Sequence, residues 1–135
     1  MKHLRIVVFI ILITLILAAC GKEETTSYKD FQHIDHWDDL SILEGETTII
    51  YFYNRLCPIC IELEEPITKL LKELENDYEI FLIEDESIFE QGEPPFELPG
   101  VPSLLLFEQG EFDRVVRGSN PVIEYLENAL EALQE

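Results

Sequence analysis

Cys57-Pro58-Ile59-Cys60 follows the run Thr47-Thr48-Ile49-Ile50-Tyr51-Phe52-Tyr53 and opens a stripe of Ile59, Leu63, Ile67, Leu70, Leu71 and Leu74. Redox centres, zinc sites and short structural disulfides all use two cysteines at this spacing, so the flanking sequence has to separate them. The run at 47–53 is dense in β-branched and aromatic residues without polar alternation, as a central strand buried on both faces requires. The stripe repeats at helical spacing and predicts a helix to about residue 75. Pro58 suits the first turn of that helix, where a missing N–H costs nothing. Pro66, inside the stripe, predicts a kink. The two thiols therefore stand where a buried strand turns into a helix.

Outward from this junction, Tyr78-Glu79-Ile80-Phe81-Leu82-Ile83-Glu84 reads as a second strand. With a helix between them, the two strands form a β-α-β unit and run parallel. Residues 85–100 carry Gly92, Pro94, Pro95 and Pro99 and read as loop, with one helical turn near 88–91. Residues 103–107 form an apolar strand, Glu108-Gln109-Gly110-Glu111 a tight turn with glycine at the positive-φ place, and 112–117 its antiparallel partner. A last helix starts from an Asn120 cap with Pro121 at its first position and buries Val122, Tyr125, Leu126, Ala129, Leu130 and Leu133. Upstream, residues 31–34 read as a short first strand. Asp35 caps a helix over 36–43 with Trp37, Leu40 and Leu43 on one face, and Gly45 ends it.

The chain of 135 residues is 47% hydrophobic and 10% aromatic, which fits one globular domain with one core. Nine Lys and Arg stand against 28 Asp and Glu, a formal charge of −19, which repels phosphate backbones and excludes nucleic acid as a partner. The acidity reads as a solvated surface, including Glu84-Asp85-Glu86 and the pair Glu108 and Glu111 about the turn. No glycine-rich phosphate loop and no Ser-His-Asp signature is present.

Lys2 and Arg5 precede an uncharged run over residues 6–19, the build of a secretory signal. The run is shorter than the roughly 20 apolar residues that span a bilayer. It ends in Leu17-Ala18-Ala19-Cys20, which resembles the lipobox of bacterial lipoproteins. That resemblance implies a signal peptide at 1–19, a diacylglycerol on the Cys20 sulfur and cleavage just before it. Residues 20–29 then form a lipidated tether, polar and without periodicity, for which disorder is expected. Two or three acyl chains make a stable anchor, and the compartment outside the cytoplasm permits disulfides. With Cys20 consumed by lipid, Cys57 and Cys60 are the remaining pair.

The order of elements, with the dithiol at the strand-to-helix junction, resembles the thioredoxin fold, an α/β arrangement with a central mixed sheet flanked by helices. Gly100-Val101-Pro102-Ser103-Leu104-Leu105-Leu106-Phe107, followed by Gln109-Gly110, is similar to the thioredoxin stretch around its cis-proline. The resemblance covers residues 30–135. More narrowly, the lipobox plus Cys-Pro-x-Cys is similar to small extracytoplasmic thioredoxin-like proteins, including those called bacteriocin transport accessory proteins. The resemblance implies a thiol–disulfide oxidoreductase with Cys57 as nucleophile, Cys60 as resolving thiol, and Val101 and Pro102 presenting backbone to an extended substrate. It implies no cofactor and no metal, protein substrates bearing thiols or disulfides, a membrane electron-transfer partner, a monomer, and a place on the outer face of the cell membrane. The helix dipole and Arg55 favour a thiolate at Cys57, and Glu62, Glu64 and Glu65 oppose it. The sequence departs from thioredoxin in carrying Leu56 in place of tryptophan and Pro58 next to the first cysteine. It also has Tyr51 where thioredoxins often have a buried acid.

Two other readings stay open on the sequence alone. His33-x-x-His36 with Cys57 and Cys60 supplies four ligands of the right type for tetrahedral zinc. A thioredoxin scaffold used for docking would need only a structural disulfide at Cys57 and Cys60.

Overall fold

The computed structural model describes residues 25–135. Cys20 and the signal-like run lie outside the described residues. Four strands, β1 (Thr47–Tyr53), β2 (Glu79–Glu84), β3 (Ser103–Glu108) and β4 (Glu111–Arg117), make one sheet in the order β2-β1-β3-β4. β1 pairs parallel with β2 and antiparallel with β3, and β3 pairs antiparallel with β4. The helices are α1 (Pro58–Glu62), α2 (Glu64–Leu74), α3 (Asp85–Phe89) and α4 (Ser119–Leu133), with 3-10 turns at Tyr28–Asp30 and Trp37–Ile42.

β1 is central, and side chains alternate across it. Ile49, Tyr51 and Tyr53 face a core with Ile67, Leu71 and Leu74 of α2 and Val122 and Leu126 of α4. Ile50 and Phe52 face a second core with Trp37, Leu40, Ile83, Ile88 and Leu105. Both faces are covered, which is why the 47–53 run carries no polar alternation. At the hairpin Gln109 and Gly110 both have positive φ, 53° and 79°, the pattern of a tight turn matched to strand twist.

Several expectations are corrected. The helix after the cysteines divides at Leu63, which ends α1 and caps α2, rather than kinking at Pro66. Pro66 lacks the N–H that would close on the carbonyl of Glu62, so the ladder is interrupted one turn before the proline itself. Residues 31–34 form a single bridge, His33 to Leu82, not a strand. Its two bonds, Ile34 N–H to the Leu82 carbonyl and Leu82 N–H to the Gln32 carbonyl, are both 2.9 Å. The 36–43 helix is a 3-10 turn whose cap is His36 rather than Asp35, with the His36 N–H donating to Asp39 Oδ2 at 3.3 Å. α3 occupies Asp85–Phe89, earlier than the turn expected at 88–91. α4 is capped by Gly118 at φ 90°, whose N–H donates to the Pro102 carbonyl, so Asn120 lies inside the helix. Leu133 is 43% exposed instead of buried.

The stretch just before residue 30 also differs from the disordered tether expected of it. Tyr28 is buried in the core beside Phe31. Thr26 and Thr68 hydroxyls meet at 2.8 Å, and the Glu64 carboxylate accepts from Ser27 Oγ at 2.7 Å and from the Tyr28 N–H at 3.1 Å. Among the described residues no helix is long and apolar enough to cross a membrane.

Candidate active site

Asn54 closes the turn that leaves β1. Its side-chain oxygen accepts from the Leu56 N–H at 2.7 Å and its carbonyl from the Cys57 N–H at 3.1 Å. Such an Asx turn lets the chain reverse from strand to helix within three residues. Cys57 is the N-cap of α1 and Pro58 its first residue, as the sequence predicts. The Cys57 sulfur stands in for the usual capping oxygen: the Cys60 N–H donates to it at 3.3 Å.

Both cysteines are free thiols, and they are unequal. Cys57 is half-buried and Cys60 is fully buried. Burial, then its hydrogen bond with Cys57, pushes the Cys60 thiol up to about 12. Of the two thiols, Cys57 is the one open to solvent. Leu56, Ile59 and Ile61, neighbours of Cys57 in the sequence, are 70%, 47% and 57% exposed.

The Val101–Pro102 peptide is cis. Pro102 is buried, and half-buried Val101 packs on the same core cluster as Cys57. Ser103 Oγ donates to the Gly100 carbonyl at 2.6 Å and so ties this loop to the start of β3.

The charges differ from the sequence expectation. Arg55 Nε lies 2.7 Å from Glu84 Oε1, and its Nη2 lies 3.7 Å from Glu86 Oε2, so its cation is answered by carboxylates rather than held for Cys57. Glu84 is accordingly part of a partly buried ion pair, not a freely solvated acid, and its other oxygen accepts from Ser87 Oγ at 3.1 Å. Glu62 and Glu65 are exposed, whereas Glu64 is spent on the N-terminal segment.

The four side chains of the zinc alternative do not converge. The His33 ring bonds the Phe31 carbonyl at 3.1 Å and the Tyr53 hydroxyl at 2.9 Å. Among the described residues no group of three or more His, Cys, Asp or Glu side chains is gathered as a metal would need.

Tyr51 is fully buried below the cysteines, and burial drives its phenol strongly upward. Its hydroxyl lies 3.3 Å from that of Tyr28, which donates in turn to the Cys60 carbonyl at 2.6 Å. Tyr28 is the site neighbour that sequence reasoning missed. The signal was faint: one aromatic residue three positions ahead of Phe31 in an otherwise polar stretch.

Comparison with known proteins adds the fold. Mitochondrial thioredoxin 3 of Saccharomyces cerevisiae superposes with a TM-score of 0.65 at 20% identity, covering 79% of this chain and 99% of that one. The chain has the thioredoxin fold. A thioredoxin of Malassezia sympodialis gives a TM-score of 0.63 at 15% identity, over 84% of this chain and 96% of that one. A mutant thioredoxin from Halobacterium salinarum gives 0.60 at 24%, over 82% and 96%. No family model and no curated protein matches the sequence. The mixed four-stranded sheet with helices on its faces agrees with the fold class that the sequence implies.

Proposed function

We propose that the protein is a thiol–disulfide oxidoreductase, anchored to the membrane by lipid on Cys20 and acting on extracytoplasmic proteins. The observation that carries the redox reading is the asymmetry of the pair: an accessible Cys57 capping α1 and a buried Cys60 whose N–H points at the Cys57 sulfur. A Cys57 thiolate attacks a substrate disulfide, forming a mixed disulfide and releasing one substrate thiolate. Cys60 then attacks the Cys57 sulfur, closing Cys57–Cys60 as the second substrate sulfur leaves, and the proton of Cys60 leaves with it or passes to solvent. Run backwards, the same steps oxidise a substrate dithiol. Val101 and Pro102 form the wall against which an extended substrate segment lies.

Insulin reduction in the presence of dithiothreitol tests this. The full chain accelerates precipitation of the insulin B chain, and Cys57→Ala abolishes the acceleration. Wild-type activity no greater than that of the variant would leave the fold as a docking scaffold. The reduction potential of the pair sets the direction: near −270 mV, roughly that of thioredoxin, it is a reductase, and near about −120 mV an oxidase. For the anchor, Cys20→Ser blocks both incorporation of labelled palmitate and processing, and an unlabelled wild-type protein would refute it.

A further inference from the structure

Residues 26–28 reach the redox centre from outside the expected domain. Besides its link through Glu64, Tyr28 packs its ring 4.2 Å from that of Tyr53 and 5.5 Å from that of Tyr51, centroid to centroid. A phenol has a single proton, and Tyr28 gives its own to the Cys60 carbonyl at 2.6 Å. In the 3.3 Å contact between the two hydroxyls, Tyr51 is therefore the donor. The relay runs from Tyr51 to Tyr28 to the backbone of Cys60.

That backbone lies in a short helix. α1 is five residues long and stops at Leu63. To close a disulfide, the Cys60 sulfur must come to about 2.05 Å from that of Cys57, with a defined torsion. It starts from a turn in which its own N–H donates to that sulfur at 3.3 Å. Burial raises both phenols well above their ordinary value, so they act as fixed hydrogen-bond donors and not as bases.

We propose that Tyr28, backed by Tyr51, is a positioning residue for the resolving thiol: its hydroxyl fixes the Cys60 peptide so that the sulfur is aimed at Cys57. The inference rests on the exchange chemistry proposed above. It also makes the last residues of the expected tether a working part of the site.

Single-turnover exchange with one equivalent of Ellman's reagent separates the steps, in full-length protein carrying Cys20→Ser so that Cys57 and Cys60 are its remaining thiols. Cys57 thiolate displaces one thionitrobenzoate and becomes a mixed disulfide. Cys60 then displaces the second, forming Cys57–Cys60, and its proton goes to solvent. Tyr28→Phe slows the second release by about fivefold or more and leaves the first within about twofold, because misplacing a reacting atom costs rate only in the step that uses it. Tyr51→Phe acts in the same direction, and the double variant resembles Tyr28→Phe, as expected of groups in one relay. An unchanged second phase, or equal slowing of both phases in either variant, overturns the proposal. A wild-type protein that never releases the second thionitrobenzoate would instead count against the exchange chemistry itself.

Discussion

The backbone N–H of Cys60 points at the sulfur of Cys57 across 3.3 Å, so the inner cysteine supports the outer one before any disulfide forms. The contact is possible because Cys57 sits at the N-cap, where unpaired N–H groups of the first turn seek an acceptor. The same turn that exposes one thiol hides the other.

Differential alkylation follows from that arrangement. With Cys20→Ser, reduced native protein treated with iodoacetamide gains its first label at Cys57 at least about tenfold faster than a label at Cys60, because reaction requires an accessible thiolate. Peptide mapping by mass spectrometry reads the ratio, and in urea the two sites label alike. Equal native rates would contradict the burial of Cys60.

Alkaline pH acts against the reduced form. Cys60 is raised from 9.0 to about 12 by burial and by its bond to Cys57, and Tyr53 from 10.0 to about 12 by burial; burial also raises Tyr28 and Tyr51. A group whose folded value is raised stabilises the fold fully below its unfolded value and loses that contribution as pH climbs through the folded one. The Cys60 contribution is thus whole below pH 9 and fades between 9 and 12, while the tyrosines lose theirs from 10 upward. The disulfide form has no Cys60 thiol, so its urea midpoint falls less steeply over pH 9–11 than that of the dithiol. Parallel slopes would refute this.

Legibility in the sequence tracked how local each cause is. β1, the Pro58 start, the hairpin and the paired cysteines rest on patterns within a few residues and are placed correctly. The cap of α4 is set by Gly118 meeting the carbonyl of Pro102, a contact between segments that neighbouring residues do not encode. Arg55 looked like a partner for Cys57 because they are near in sequence, but β2 runs parallel to β1 and ends at Glu84, which brings that carboxylate to Arg55. Tyr28 was hidden for the same reason, since its partners lie 23 and 32 residues away.

Releasing Arg55 tests the charge arrangement. Glu84→Gln keeps the side-chain shape and removes the carboxylate 2.7 Å from Arg55 Nε. The cation, left with Glu86 alone at 3.7 Å, raises the rate of the first exchange step at Cys57 about two- to threefold at low salt, and the gain disappears in about 1 M salt, where the screening length is near 3 Å. Arg55→Ala in the Glu84→Gln background restores the original rate. An acceleration that persists at high salt would point to a change of shape rather than of charge.

At the far end of β1, Gly45 gives a stability probe independent of the chemistry. A Cβ there would stand 2.7 Å from Glu79 Cβ and 2.9 Å from Glu79 Oε2. That oxygen accepts from the Gly45 N–H at 3.0 Å and from the hydroxyl of fully buried Thr48 at 2.6 Å. Gly45→Ala displaces the carboxylate and leaves a buried hydroxyl without its acceptor, costing about 1–3 kcal/mol in urea unfolding. Thiol exchange rates stay unchanged, because the strain lies at the opposite end of the strand from Cys57. Adding Glu79→Gly to Gly45→Ala removes both the Cβ and the Oε2 contacts but keeps the unpaired Thr48 hydroxyl, so the double variant is no less stable than Glu79→Gly by more than about 1 kcal/mol. A cost for Gly45→Ala as large in the Glu79→Gly background as in the wild type would show that the glycine is required by its own backbone and not by its neighbour.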